Sequence, residues 1–162
     1  VNLFTSADLL ALCLARHFEQ RHGASTVAVG FAPKWDVRFR DGTTVEIKLD
    51  GRACVTGLCA VEYWNTKTGA SGILLSEAKV WIHCIPEDEG LHCYECDVRR
   101  LLKLIIESGV TKSGGNGSAS LMKLVPLRAL KEISNEDYLL KGELVDLVRH
   151  SILQTTNWER NT

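Results

Sequence analysis

Apolar and polar residues alternate strictly on both sides of an Asp-Gly pair in the stretch 35–50. Trp35, Val37 and Phe39 alternate with Asp36, Arg38 and Arg40. Beyond the pair, Val45, Ile47 and Leu49 alternate with Thr44, Glu46, Lys48 and Asp50. A period of two on both sides of a turn predicts a β-hairpin. The register follows from parity. If one face is buried, both odd-numbered apolar sets must lie on it, so paired residue numbers sum to an even value. That excludes a two-residue loop and selects Arg40-Asp41-Gly42, with Gly42 in the left-handed conformation. Residue 39 then pairs with 43, and Asp36 stands opposite Glu46. Lys48 lies on the same face.

The rest of the chain reads in the same way. Residues 6–22 carry an apolar face at helical spacing (Leu9, Leu10, Cys13, Leu14, Phe18), with Ser6 as cap and Gly23 as stop. Strands are expected near 26–31, 58–64, 80–85, 91–96 and 121–125. Short helical segments are expected at 73–78 and 127–133, and longer helices at 98–108 and 138–155. The pattern is that of an α/β chain with a mixed central β-sheet flanked by helices. It holds one domain over 1–162, with a core at about 6–125 and a C-terminal helical addition at about 126–162. No internal repeat and no second core is evident.

Composition narrows the class. The 162 residues are 45% hydrophobic and 24% charged, which suits a globular chain with a substantial core. No run approaches the ~20 apolar residues of a membrane-spanning helix. Asp8, Arg16 and His17 interrupt the first apolar run, so no signal peptide and no membrane partner are expected. Most of the six Cys fall in apolar, patterned segments, which suits reduced thiols in an intracellular protein. Net charge is −1, but its distribution is uneven. Residues 98–131 hold seven basic residues and one acidic residue, whereas 87–97 hold five acidic residues and no Lys or Arg. Such a basic stripe can meet phosphates even on a neutral chain.

Two carboxylates and an ammonium on one sheet surface suit a divalent-metal hydrolase. Asp36, a ten-residue gap, then Glu46-x-Lys48 resembles the PD-(D/E)xK nuclease superfamily, with Trp35 where that family often has Pro. The downstream Val61-Glu62-Tyr63-Trp64, Ser71-Gly72-Ile73 and Trp81 resemble its small phage-type and homing-type members. The resemblance implies a restriction-endonuclease-like core and metal-dependent cleavage of DNA, double-stranded or branched, with a homodimer common. It implies Mg²⁺ or Mn²⁺ held by Asp36, Glu46 and the carbonyl of Ile47, with Lys48 assisting attack by water. Glu19, near the end of the first helix, matches the helix carboxylate that joins the metal in some members. Glu62 is a polar residue among apolar neighbours that could reach the site.

Candidate DNA contacts are Arg38 and Arg40 on the hairpin, and Lys67 and Ser71 before the short helix. Lys112 and Asn116 belong to the Gly/Ser-rich stretch 112–120, which reads as an exposed loop able to close over DNA. Two rivals remain open. In the first, the hairpin is a ribbon whose charged face, with Arg38, Arg40 and Asp50, is simply solvated. The chain is then a catalytically silent nucleic-acid-binding or scaffold protein with the same fold. In the second, His83, Cys84, His92, Cys93 and Cys96 stabilise an interaction domain through zinc. Strand alternation opposes the second, because it turns Cys93 and Cys96 to opposite faces.

Overall fold

The alternating stretch folds as its parity requires. The computed structural model describes residues 5–27, 34–114 and 119–160, the last eight of them as backbone only. Strand β1 (Ser25–Val27), β2 (Val37–Phe39) and β3 (Thr44–Leu49) form an antiparallel meander. Val37 pairs with Val45 and Arg38 with Thr44. The Phe39 N–H donates to the Thr43 carbonyl at 2.8 Å, and Gly42 takes φ 83° in the loop. Val37, Phe39, Val45 and Ile47 are all buried on one face. Residues 28–31 of the expected first strand lie outside the described residues.

Helix α1 (Ser6–His22) precedes the meander. Its cap is Thr5 rather than Ser6. The Thr5 hydroxyl accepts from the Asp8 N–H, and the Asp8 carboxylate accepts from the Thr5 N–H, a reciprocal capping box. After β3 come a short helix α2 (Ala53–Thr56), β4 (Leu58–Asn65), β5 (Gly69–Ala70) and a single 3₁₀ turn at Gly72–Leu74. The turn replaces the helix expected at 73–78. Strands β6 (Val80–Glu87) and β7 (Gly90–Asp97) form a hairpin, followed by α3 (Val98–Ser108), β8 (Val110–Gly114), β9 (Ser120–Pro126) and α4 (Leu127–Ile133). The chain closes with β10 (Glu136–Leu140) and α5 (Glu143–Arg160).

The main sheet has the order β1-β2-β3-β6-β7-β10, with β3 and β6 parallel and the other pairs antiparallel. It is a mixed sheet flanked by helices. A second, antiparallel sheet has the order β5-β4-β9-β8. Helices α1 and α5 cover one face of the main sheet. Leu10, Leu14, Phe18, Val37, Ile47, Ile82, Cys93 and Val148 pack there. The second sheet, α3 and α4 cover the other face with Val61, Trp81, Tyr94, Leu101, Val125 and Leu130. Two apolar layers therefore share the main sheet, where one core was expected.

Two further expectations are corrected. Residues 138–140 are not helical: Tyr138 pairs with Cys93 and Leu140 with Leu91 at the sheet edge. Gly90 has no room for a Cβ against the Leu140 carbonyl, so β10 depends on that glycine. The C-terminal stretch is thus part of the main core, to which it adds Leu140, Val145 and Val148. The stretch 112–120 is not all loop, because β8 runs to Gly114 and pairs with β9.

Candidate functional site

Strand β2 begins only at Val37, while β3 runs on past its partner Val45 for several residues beside β6. The edge of β3 is therefore left without a strand partner beyond Val45, and Asp36 fills the gap. The Ile47 N–H donates to Asp36 Oδ2 at 2.6 Å. In an extended strand, a residue's N–H and C=O point to the same edge. The Ile47 carbonyl is accordingly turned toward the Asp36 side.

On the inter-sheet face, Lys48 Nζ donates to Glu46 Oε1 at 2.6 Å. The Ser76 hydroxyl donates to Glu46 Oε2 at 3.3 Å. Lys48 Nζ also lies 5.5 Å from the centre of the Trp81 ring, a cation–π distance. Asp36, Glu46 and Lys48 are thus gathered at the N-terminal end of β2, half-buried rather than sealed. Burial raises the Asp36 carboxyl above its ordinary range, and the Glu46 charge raises it further. The Ile47 N–H and Lys48 oppose that shift without cancelling it, and Asp8 of α1 adds to it. A buried carboxyl raised by a neighbouring carboxylate marks a place where added positive charge is favourable.

The same face continues to Asp50, which is far from a solvated charge. Its Oδ1 accepts from the Arg52 and Ala53 N–H groups at 3.1 and 3.0 Å. Its Oδ2 accepts from the Ala60 N–H at 3.0 Å and faces His83 Nε2 at 3.2 Å. His83 is fully buried and is the direct partner of Lys48 across the β3–β6 ladder. Burial alone would raise the Asp50 carboxyl. The bond and charge of His83, with the Ala60 and Ala53 N–H groups, outweigh it and hold the carboxyl below its ordinary range. Sequence reasoning read Asp50 as a solvated charge and His83 as a zinc candidate, and did not single out Ser76. For Asp50 the signal was present, because residues 46, 48 and 50 alternate onto one face.

Other expected residues are not brought to this site. Glu19 lies at the hairpin-turn end of α1, on the opposite face of the sheet, and accepts a bond from the Ser25 hydroxyl at 2.7 Å. The α1 carboxylate whose charge reaches Asp36 is Asp8. Glu62 is held by the Ser71 hydroxyl at 2.5 Å, so these two residues serve each other. Arg38 is exposed on the Glu46 face of β2, and Arg40 is exposed beside the turn. Lys67 is exposed on the β4–β5 turn. Lys112 is exposed on β8 opposite Met122, not in a loop, and Asn116 lies outside the described residues.

The cysteine and histidine set does not converge. Cys84 and Cys93 meet at 3.2 Å between sulfurs in the α1-side core. Cys96 lies in the inter-sheet core, with its thiol raised by burial to about 11. His92 is held between Glu87 and Asp137 at 3.1 and 3.3 Å. Among the described residues no three Cys, His, Asp or Glu side chains gather into a metal-binding group. A cavity of about 660 Å³ opens near the β6–β7 turn, lined by Cys54, Ile85, Glu87 and Leu127 among others. Asp36, Glu46 and Lys48 do not line it. No helix of the described residues is long and apolar enough to cross a membrane. No family model matches the chain, and no curated protein matches it either.

Proposed function

We propose that this chain is a metal-dependent DNA endonuclease with a restriction-endonuclease-like core and its site at Asp36, Glu46 and Lys48. The observation that carries this is the convergence of the three at the N-terminal end of β2, where burial and the Glu46 charge together raise the Asp36 carboxyl. The donor set is one of hard oxygens: Asp36 Oδ1, the Glu46 carboxylate and the Ile47 carbonyl. Such a set suits Mg²⁺ or Mn²⁺, which keep several waters when few protein ligands are present. When bound, the cation would polarise the scissile phosphate and lower the pKa of a coordinated water.

The protein's own groups do the rest. The Ile47 N–H holds Asp36 in orientation through Oδ2 and leaves Oδ1 available. Ser76 steadies the outer oxygen of Glu46. Lys48, supported by the Trp81 ring, presents an ammonium at the carboxylate pair, where it can orient the attacking water or meet developing negative charge. Arg38, exposed on the same face, is placed to contact phosphate. Cutting both strands of a duplex would require a second site, which a homodimer supplies.

A rival draws on the same contacts. The Asp36–Ile47 bond extends the β-ladder and the Glu46–Lys48 bond is an internal ion pair, as in a nucleic-acid-binding protein without catalysis. Asp36→Asn and Glu46→Gln separate the two, because each keeps shape and an acceptor oxygen while removing charge. Each variant should lose about 100-fold or more of Mg²⁺-dependent plasmid cleavage, with its melting temperature retained. Cleavage by either variant at the wild-type rate would remove the nuclease proposal. Binding of DNA by a wild-type protein that never cuts would favour the rival.

A further inference from the structure

Trp64 is 41% exposed, which is unusual for so large an apolar side chain. Strand alternation would put it on the same face as Ala60 and Glu62. A bulge between Glu62 and Trp64 breaks the alternation. Cys59 pairs with Val125, Val61 with Lys123 and Trp64 with Leu121, so the bulge turns Trp64 onto the face that carries Cys59 and Val61 into the inter-sheet core. Bulges are devices that re-aim a side chain. Here the re-aimed residue continues a core-facing surface past the point where the core ends.

The neighbours of Trp64 keep its ring open. Its cross-strand partner on β5 is Ala70, and the next residue is Gly69. A Cβ added at Gly69 would lie 3.9 Å from the Cζ2 and Cη2 atoms of Trp64, so the ring rests over the glycine backbone. Leu74 and Leu75, just beyond, are also exposed at 50% and 48%. Lys67 is exposed at the tip of the same hairpin. Glu62, the nearest acidic residue along the strand, is occupied by Ser71. The hairpin is rooted beside the site. Ser71 binds Glu62 and Ser76 binds Glu46, and five residues of chain reach at most roughly 17 Å.

We infer that Trp64 is a base-stacking platform for single-stranded nucleic acid, with Lys67 on the adjoining phosphate. An unpaired base offers a flat π surface to the indole, and the contact needs no hydrogen-bond readout, so it tolerates sequence. Duplex bases are stacked on each other and cannot make it. The inference deepens the nuclease proposal and rests on it for its consequence: the strand led to Asp36, Glu46 and Lys48 is unpaired near the cut, as in a branch or flap.

The test is binding of a short oligothymidine in chelator, where cleavage cannot occur, beside a blunt duplex of the same length. Trp64→Ala should weaken oligothymidine binding about 10-fold or more and leave duplex binding within about 2-fold. Trp64→Phe should restore most of the loss, which a purely structural role would not produce. Thermal melts of all three proteins check folding. Wild-type Trp fluorescence should be quenched by the oligomer, and the quenching should be lost in Trp64→Phe. Equal oligothymidine affinity for wild type and Trp64→Ala overturns the inference. So does a wild-type protein that binds duplex alone, or a Trp64 emission that changes with protein concentration alone, the mark of a contact between two copies. Failure of the nuclease proposal is read separately, as absence of cutting by wild type in Mg²⁺.

Discussion

The two faces of the main sheet solve the same packing problem with different materials. Against α1 and α5 the sheet presents Val37, Phe39, Val45, Ile47, Ile82 and Cys84, with one half-buried carboxylate, Glu95, facing Arg21 of α1. Against the second sheet it presents Trp81 and Ile85, but also Glu46, Lys48, Asp50 and His83. The second face keeps charges partly desolvated and holds each with a named partner. Buried polar atoms without a hydrogen bond among the described residues occur on both faces: Trp81 Nε1 and His83 Nδ1 on this one, Glu95 Oε2 and the Tyr138 hydroxyl on the other. The contrast separates a mainly apolar side of the sheet from one that gathers four ionisable side chains.

The largest effect that would sharpen this contrast is expected at Asp50. Asp50→Ala leaves the buried His83 and the Ala53 and Ala60 N–H groups without their acceptor. It should cost about 3–5 kcal/mol of stability, read by urea denaturation. A loss below about 1 kcal/mol would mean that water replaces the carboxylate and that this face is less sealed than its geometry indicates. On the other face, Leu14→Ala should cost about 2–5 kcal/mol while leaving DNA binding and the chemical step of the remaining folded protein intact. A change in single-turnover rate in Leu14→Ala would erase the division between the faces.

Lys48→Ala comes next. It should slow the chemical step by about 100-fold, with DNA affinity changed far less and the melting temperature nearly constant, since the side chain is 39% exposed. A large loss of affinity with normal single-turnover chemistry would instead make Lys48 a phosphate anchor.

The smallest effect is in pH dependence, where the two aspartates act with opposite sign. The Asp50 carboxyl is lowered in the fold, so its stabilisation is present above its unfolded pKa and is lost as pH falls through the folded value. The Asp36 carboxyl is raised, so the fold binds its proton more tightly than the unfolded chain does. Its contribution turns unfavourable as pH rises from the unfolded value through the raised one. Asp36→Asn should therefore raise the melting temperature slightly near neutral pH and lose that advantage in acid. A destabilised Asp36→Asn at neutral pH would show that the bond to the Ile47 N–H needs the charge.

Local periodicity was enough to read the hairpin. The parity of Val37, Phe39, Val45 and Ile47 determined the three-residue loop, the conformation of Gly42 and the juxtaposition of Asp36 with Glu46, because neighbours in a hairpin are close in sequence. The helices at 6–22, 98–108 and 127–133 were legible for the same reason. So was the turning of Cys93 and Cys96 to opposite cores. The failures came where partners are distant. Glu136–Leu140 is a strand because the open edge of β7 pairs with it, a demand that local propensity does not carry. The Ser25 hydroxyl that Glu19 accepts from was likewise not legible from the pattern of α1 alone.

For this protein the sequence by itself determined which residues share a face, since side-chain direction along a strand depends only on backbone geometry. Only the tertiary structure decided what lies across from that face. It brought His83 to Asp50 through a parallel pairing of β3 with β6, which a long connection makes possible. It also turned Trp64 through a bulge that no period in the sequence announces. Such contacts depend on where separate elements dock, and that is settled by the sum of burial over the whole chain rather than by any one segment.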